Sequence, residues 1–434
     1  MNTPSNDSAV HRDKARMHIR NNDVLLAEQS YWRLLQLKPD DVEALHFLAT
    51  EHLERGETSK GIDLLTKARD AKPDCAATWH HLGAVYLQSG QFALAADSLQ
   101  RALQISPKLF VARLRLATAL EESGQSREAL FAYFRAINDA QAQGRWLSDS
   151  TTAPALRASV KYAMDYVDAG RKQVLEETLE PLRQRYGRSE LRRVDHCLAI
   201  YLGEQLANLP DSRQKPKFLY FPEIPSQPFY PKNQFPWQSE LESVSSVIRS
   251  ELLEVMEKKQ NLEPFLQTGE PKEGEELLTS SGENAPSWDA YFFYRHGERY
   301  AENCQQCPRT AELLDSIPLV RIRDHAPETL FSVLSPGTHI MPHRGVTNTR
   351  LVTHLPLIVP SNCALRVGGE LHEWRQGECV TFDDTFEHEA WNRSNQTRVV
   401  LIIDSWNPDL SDVERAAVTD LVSAIGDLNR KAGL

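Results

Sequence analysis

The sequence predicts a multidomain protein, an all-α solenoid followed by an all-β domain with flanking helices. Three observations predict it: a 34-residue period in the first third, a proline-rich stretch near the middle, and short apolar runs bounded by Gly, Pro and Asn in the last third. At 434 residues the chain is two to three times a typical domain, so more than one folded unit is expected. It is 41% hydrophobic and 25% charged, which excludes a disordered or fibrous chain. The 49 Lys+Arg against 60 Asp+Glu give a formal charge of −11, so a nucleic-acid-coating surface is not expected. The longest purely apolar runs, such as Val399 to Ile403, fall far short of the ~20 residues of a membrane span. Residues 1–20 are polar and carry no secretory signal, so the expected location is the cytoplasm. Six scattered cysteines exclude a disulfide scaffold.

The period is carried by independent columns. Pro39, Pro73 and Pro107 share it, as do Gly56, Gly90 and Gly124, Ala68, Ala102 and Ala136, and Leu48, Leu82 and Leu116; Ala27, Gly61, Ala95 and Ala129 form a further column, and Asn22 stands where one more Gly would fall. Gly and Asn tolerate the left-handed conformation that ends a helix, small residues let two helices cross closely, and Pro suits the first turn of the next repeat. The pattern resembles the tetratricopeptide repeat, whose stacked helix pairs share one core. The resemblance implies a concave surface that holds a peptide or partner protein, with a spacer or dimerisation surface as the alternative. His80 and His81 are expected on the surface of these repeats. The expected boundaries are 1–145 for the solenoid, 146–210 for a helical cap or connector, 211–237 for a proline-rich linker and 238–434 for the second domain.

Between Pro210 and Pro236, prolines alternate with aromatics, so an extended segment laid along the next domain is expected. A helix is predicted over 239–258, a loop over 266–287 and a final helix over about 411–430. Strands are predicted at 329–335, 350–359, 363–368, 378–384, 387–394 and 397–406, in an antiparallel sandwich or barrel. His343, His354 and His388 fall on or beside these strands. Imidazole is a common transition-metal ligand, and non-haem iron sites favour two histidines with open positions.

The segments MPHRGVTNTRLVTHLPLIVP (341–360) and GECVTFDDTFEHEAWNRSNQTRVVLIIDSWNPDL (377–410) resemble the aspartyl/asparaginyl β-hydroxylase family of Fe(II)- and 2-oxoglutarate-dependent oxygenases. The resemblance implies a double-stranded β-helix, the jelly-roll of cupins, with the metal in its mouth. It implies His343 and His388 as iron ligands and catalytic residues, with Gly345 where related oxygenases place a carboxylate. Arg398, helped by Ser332, would grip the distal carboxylate of 2-oxoglutarate through parallel hydrogen bonds, and His354 would lie near the other carboxylate. O2 would complete the reaction, which inserts a hydroxyl into a C–H bond. The resemblance also implies a substrate-reading arginine two residues after Arg350 and a second one before Trp288, but Val352 and Glu283 stand in those places. A peptide or protein substrate recruited by the repeats is expected; alternatives are a lipid or small-molecule substrate, a silent repeat-based adaptor, and a halogenase using space at Gly345. Asp383 and Asp384 are read as turn-shaping residues rather than ligands. Cys304 and Cys307 lack a second zinc-ligand pair and are expected as free thiols, although the family carries a small disulfide loop nearby.

Overall fold

A computed structural model of the protein describes residues 4–258, 261–265, 277–280 and 285–433. Glu283 and most of the loop expected at 266–287 lie outside the described residues. The chain forms two compact units, Met1–Arg171 with Leu428–Leu434, and Lys172–Asp427.

In the first unit, helices pair as α1 (Pro4–Arg20) with α2 (Val24–Leu37), α3 (Val42–Glu54) with α4 (Thr58–Ala71), α5 (Ala76–Gln88) with α6 (Phe92–Ile105), and α7 (Phe110–Glu122) with α8 (Ser126–Gln141). The repeat columns explain the pairing. Asn22, Gly56, Gly90 and Gly124 follow the first helix of each pair with φ of 61°, 77°, 73° and 78°. In that conformation the Gly56 N–H reaches the Leu53 carbonyl and the Glu57 N–H the His52 carbonyl, which satisfies groups left open at a helix end. Ala27, Ala95 and Ala129 are fully buried at the crossings, and a Cβ at Gly61 would meet the Leu53 side chain at 2.6 Å.

The prolines act one step earlier than expected. Pro39, Pro73 and Pro107 lie in the turns between pairs, not in the first turn of a helix. The residues before them, Lys38, Lys72 and Ser106, have φ of −139°, −144° and −136°, because proline excludes the helical region for its predecessor and so ends each second helix. His81 is exposed as expected, whereas His80 is half-buried, with Nε2 2.7 Å from an Arg115 guanidinium nitrogen. Helices α9 (Arg157–Tyr186) and α10 (Arg192–Tyr201) follow in sequence.

The second unit holds the strands β1 (Phe229–Tyr230), β2 (Glu263–Pro264), β3 (Leu278–Ser280), β4 (Trp288–Arg295), β5 (Glu298–Arg299), β6 (Thr329–Leu334) and β7 (Thr338–His343). It continues with β8 (Arg350–Ile358), β9 (Cys363–Val367), β10 (Glu370–His372), β11 (Val380–Phe382), β12 (His388–Asn392) and β13 (Arg398–Trp406). Two antiparallel sheets result, ordered β1-β11-β8-β13-β6-β4-β2, with β5 on β4, and β10-β9-β12-β7-β3. They pack face to face through Leu334, Val352, Phe382 and Val400 of the first and Ile340, Leu365 and Ala390 of the second. The other face of the larger sheet is covered by α12 (Ser245–Lys258) through Ile248 and Leu252, and by α14 (Pro308–Ser316) through Leu314, against Tyr291, Phe331 and Leu401.

Several expectations are corrected here. The 211–237 segment, expected as a proline-rich linker laid along the second domain, adds to its sheet: β1 pairs with β11, and Gln214 and Leu219 form bridges to Phe386 and Thr347. The helix expected over 239–258 is broken at Val244 into α11 (Gln238–Ser243) and α12, and the final helix α15 is Asp412–Lys431. Strands β4 and β7 were not anticipated. β4 is aromatic and buried along most of its length, so it lacks the alternation that marks a half-exposed strand, and β7 contains Pro342. Cys304, on α13 (Ala301–Gln306), and Cys307 are buried free thiols. Among the described residues no helix is long and apolar enough to cross a membrane.

The repeat turns have a direct test. Gly90→Ala puts a Cβ into open space but onto a left-handed backbone, so chemical denaturation is expected to show a loss of about 1 kcal/mol. Leu48→Ala, in the helical core, is expected to cost about 2–5 kcal/mol.

Candidate functional site

His343 ends β7 and His388 begins β12, and the antiparallel pairing of these strands sets the two residues directly opposite each other. Their ring centroids are 4.0 Å apart. His343 Nδ1 donates to the Met341 carbonyl at 2.8 Å, and His388 Nδ1 to the Phe386 carbonyl at 3.1 Å. Each ring therefore keeps its proton on Nδ1 and presents the Nε2 lone pair, the tautomer that a metal ligand needs. Burial lowers the pKa of both: His388 falls to about 3, helped by His343, and His343 moves in the same direction. Both are neutral at pH 7. The donor set thus fits one borderline transition metal held by two imidazoles. Among the described residues no group of three or more His, Cys, Asp or Glu is arranged around a metal position.

The pair opens into a cavity of about 230 Å³ between the sheets, with walls that include Phe265, Leu330, Ile340, Val352, Leu365 and Ile402. Arg398, at the start of β13, lines the same cavity and is 1% exposed. Burial lowers its pKa to about 10, so it remains charged. No carboxylate pairs with it among the described residues, and its Nε has no hydrogen-bond partner. Its nearest polar contact is long, 3.4 Å to the Ser332 hydroxyl, which the Trp288 indole N–H approaches at 2.9 Å. Trp288 stacks on Phe265 at 4.0 Å between centroids. His354, on β8, lines the cavity with its Nδ1 buried and unpartnered; burial and then the Arg398 charge hold its pKa well below the usual value.

Arg350 has the opposite surroundings. Its guanidinium lies 3.0 Å from Asp384 and 2.8 Å from Asp404. Burial opposes its charge, but the two carboxylates more than offset this and raise its pKa. Glu328 is on the same wall, its backbone N–H donating to Asp404 at 3.0 Å, and burial pushes its carboxyl up to about 7. The reading of the Asp pair as turn-shaping holds for Asp383 alone, which accepts from the Thr385 N–H at 2.8 Å and the Thr385 hydroxyl at 2.5 Å. Asp384 instead turns into the cavity, with Oδ1 buried and unpartnered. Its carboxylate fills the space beside Gly345, where a Cβ would meet it at 2.1–2.2 Å. The room for a halide inferred at Gly345 is therefore taken by an anion.

All the residues singled out from sequence, His343, His354, His388, Arg398, Ser332, Arg350 and Trp288, line this one cavity. Asp384, Asp404 and Glu328 were missed as cavity residues. A signal existed for two of them: side chains alternate along a strand, so Asp404 shares the face of Arg398 and Ile402, and Glu328 that of Leu330 and Ser332.

Both parts of the chain are similar to known proteins. Residues 242–408 match the aspartyl/asparaginyl β-hydroxylase family model, and residues 48–109 and 86–148 match tetratricopeptide-repeat models. The rat aspartate β-hydroxylase domain-containing protein 2 is 32% identical over 59% of this chain and 72% of its own length. The human aspartyl/asparaginyl β-hydroxylase is 34% identical over 41% of this chain and 22% of its own length. An ornithine lipid ester-linked acyl 2-hydroxylase from Rhizobium tropici is 33% identical over 44% of this chain and 64% of its own length.

The Gly345 contact makes a prediction. Gly345→Ala is expected to displace the Asp384 carboxylate and cost about 1–3 kcal/mol in urea unfolding. In an Asp384→Ala background, which by itself loses the Arg350 pair, the added cost of Gly345→Ala should shrink; an equal cost in both backgrounds would contradict the clash.

Proposed function

Because the chain belongs to the aspartyl/asparaginyl β-hydroxylase family, we propose that its second unit hydroxylates an unactivated C–H bond using Fe(II), O2 and 2-oxoglutarate. The observation that carries this reading is Arg398, a buried cation that pairs with no carboxylate among the described residues and lines the same cavity as an imidazole pair. A keto-diacid answers both features, with one carboxylate for the guanidinium and a chelating end for the metal. The two sheets facing each other across the cavity support a double-stranded β-helix.

In this reading His343 and His388 hold the iron through Nε2. Arg398 and the Ser332 hydroxyl hold the distal carboxylate, and His354 stands near the other. Bound iron supplies the activation of O2, which no side chain of the cavity can perform. The apolar walls exclude water from the reacting atoms. Repeats in the first unit would recruit a peptide or protein substrate. An adaptor without activity would have no need of an unpaired buried guanidinium, so the intact set favours an enzyme.

The substrate's reacting segment is read as non-acidic. Arg350 is held by Asp384 and Asp404, and Val352 is apolar, so a second carboxylate would find no open guanidinium on β8. The apolar cavity favours a second reading, an acyl chain, the substrate class in the printed name of the Rhizobium relative.

Two measurements test the proposal. Protein supplied with Fe(II), 2-oxoglutarate and ascorbate should release succinate slowly without added substrate, and His343→Ala or Arg398→Met should lower that rate at least about a hundredfold, the scale of removing a positioned charged contact. The second concerns protons. Both imidazoles are already neutral at pH 7, with His388 titrating near 3, so metal has no proton to displace from them. Mn(II) binding, followed calorimetrically in buffers of different ionisation enthalpy, should release well under one proton between pH 6.5 and 8. Release of one or more would mean that the rings are protonated before metal enters.

A further inference from the structure

Trp374 lies in the loop after β10, and its side chain is 6% exposed. The Arg398 Cζ stands 5.1 Å from the centroid of its ring, and the His354 ring is 5.8 Å from it. Arg398 Nε, His354 Nδ1 and Trp374 Nε1 are each buried and find no hydrogen-bond partner among the described residues. Arg398 and His354 line the cavity that holds the imidazole pair, whereas Trp374 lines a separate surface groove together with Trp391 and Arg393. The indole is therefore the layer between the guanidinium and that groove.

A buried guanidinium needs compensation, and this molecule shows two kinds. Arg350 receives two carboxylates, which cancel its charge. Arg398 receives an aromatic face, which stabilises a cation through the ring quadrupole and leaves its full charge available to a ligand. A carboxylate in the place of the indole would bind the guanidinium permanently and compete with any anion entering the cavity.

We propose that Trp374 is a positioning residue for the cosubstrate: its indole face holds the Arg398 guanidinium toward the cavity and shields it from the groove without neutralising it, so that the distal carboxylate of the keto-diacid meets an uncompensated cation. The inference rests on the reading of 2-oxoglutarate as cosubstrate.

The test is calorimetric binding to the Mn(II)-loaded full chain, with 2-oxoglutarate compared against 2-oxobutanoate, which keeps the keto acid but lacks the distal carboxylate. Trp374→Leu removes the ring and is expected to weaken 2-oxoglutarate binding about tenfold, and Trp374→Phe, with a weaker quadrupole, about threefold. Binding of 2-oxobutanoate should change less than twofold in either variant. If Trp374→Leu does not fold, the selective loss in Trp374→Phe carries the same weight. Unchanged 2-oxoglutarate binding in the variants, or equal losses for both ligands, would overturn the positioning role. A wild-type protein that fails to prefer 2-oxoglutarate over 2-oxobutanoate would instead overturn the cosubstrate reading on which the role rests.

Discussion

The site depends on one register. His343 and His388 are 45 residues apart in sequence and meet only because β7 and β12 pair with these two residues opposite each other. A strand has a side-chain period of two, so a slip of one residue would send one imidazole to the far face. The pairing continues through Ile340 opposite Ala390, both in the apolar layer between the sheets, and a shift in register between the two pairs lets Ile340 and His343 line the same cavity. The carbonyls of Met341 and Phe386, each two residues before its histidine, then fix both tautomers. Thus the same backbone that makes the sheet also prepares the lone pairs.

Charge is distributed in the cavity by a simple division. Among the described residues two arginines line it, and one is neutralised by Asp384 and Asp404 while the other meets no counter-ion there. Breaking a buried pair is costly, so Arg350 is best understood as part of the wall. A buried cation left unpaired is also costly unless a ligand supplies the anion, and that asymmetry is why Arg398 points to chemistry and Arg350 to structure. Asp384 links the two regions, because its carboxylate both pairs with Arg350 and occupies the volume that Gly345 leaves open.

The repeats follow a different logic, in which every column is local. A left-handed Gly or Asn ends one helix, a small residue permits the crossing, and an extended residue before Pro ends the next. None of these needs a distant partner, so a single sequence displays them by spacing alone. In the second unit the helix break at Val244 and the aromatic strand β4 were hidden for the converse reason: both respond to packing against other elements.

The sequence by itself determined the division into a helical repeat region and an antiparallel β region, because periods of 34 and of two are properties of neighbouring residues. It also determined which residue types could carry the chemistry, through His343, His388 and Arg398 in their motif. Only the tertiary structure decided how they are used. It separated a neutralised arginine from an open one, turned Asp384 inward while Asp383 shaped the turn, and laid Trp374 beneath Arg398. Those outcomes depend on distances between segments far apart in the chain, and no local pattern of residues encodes a distance across a cavity.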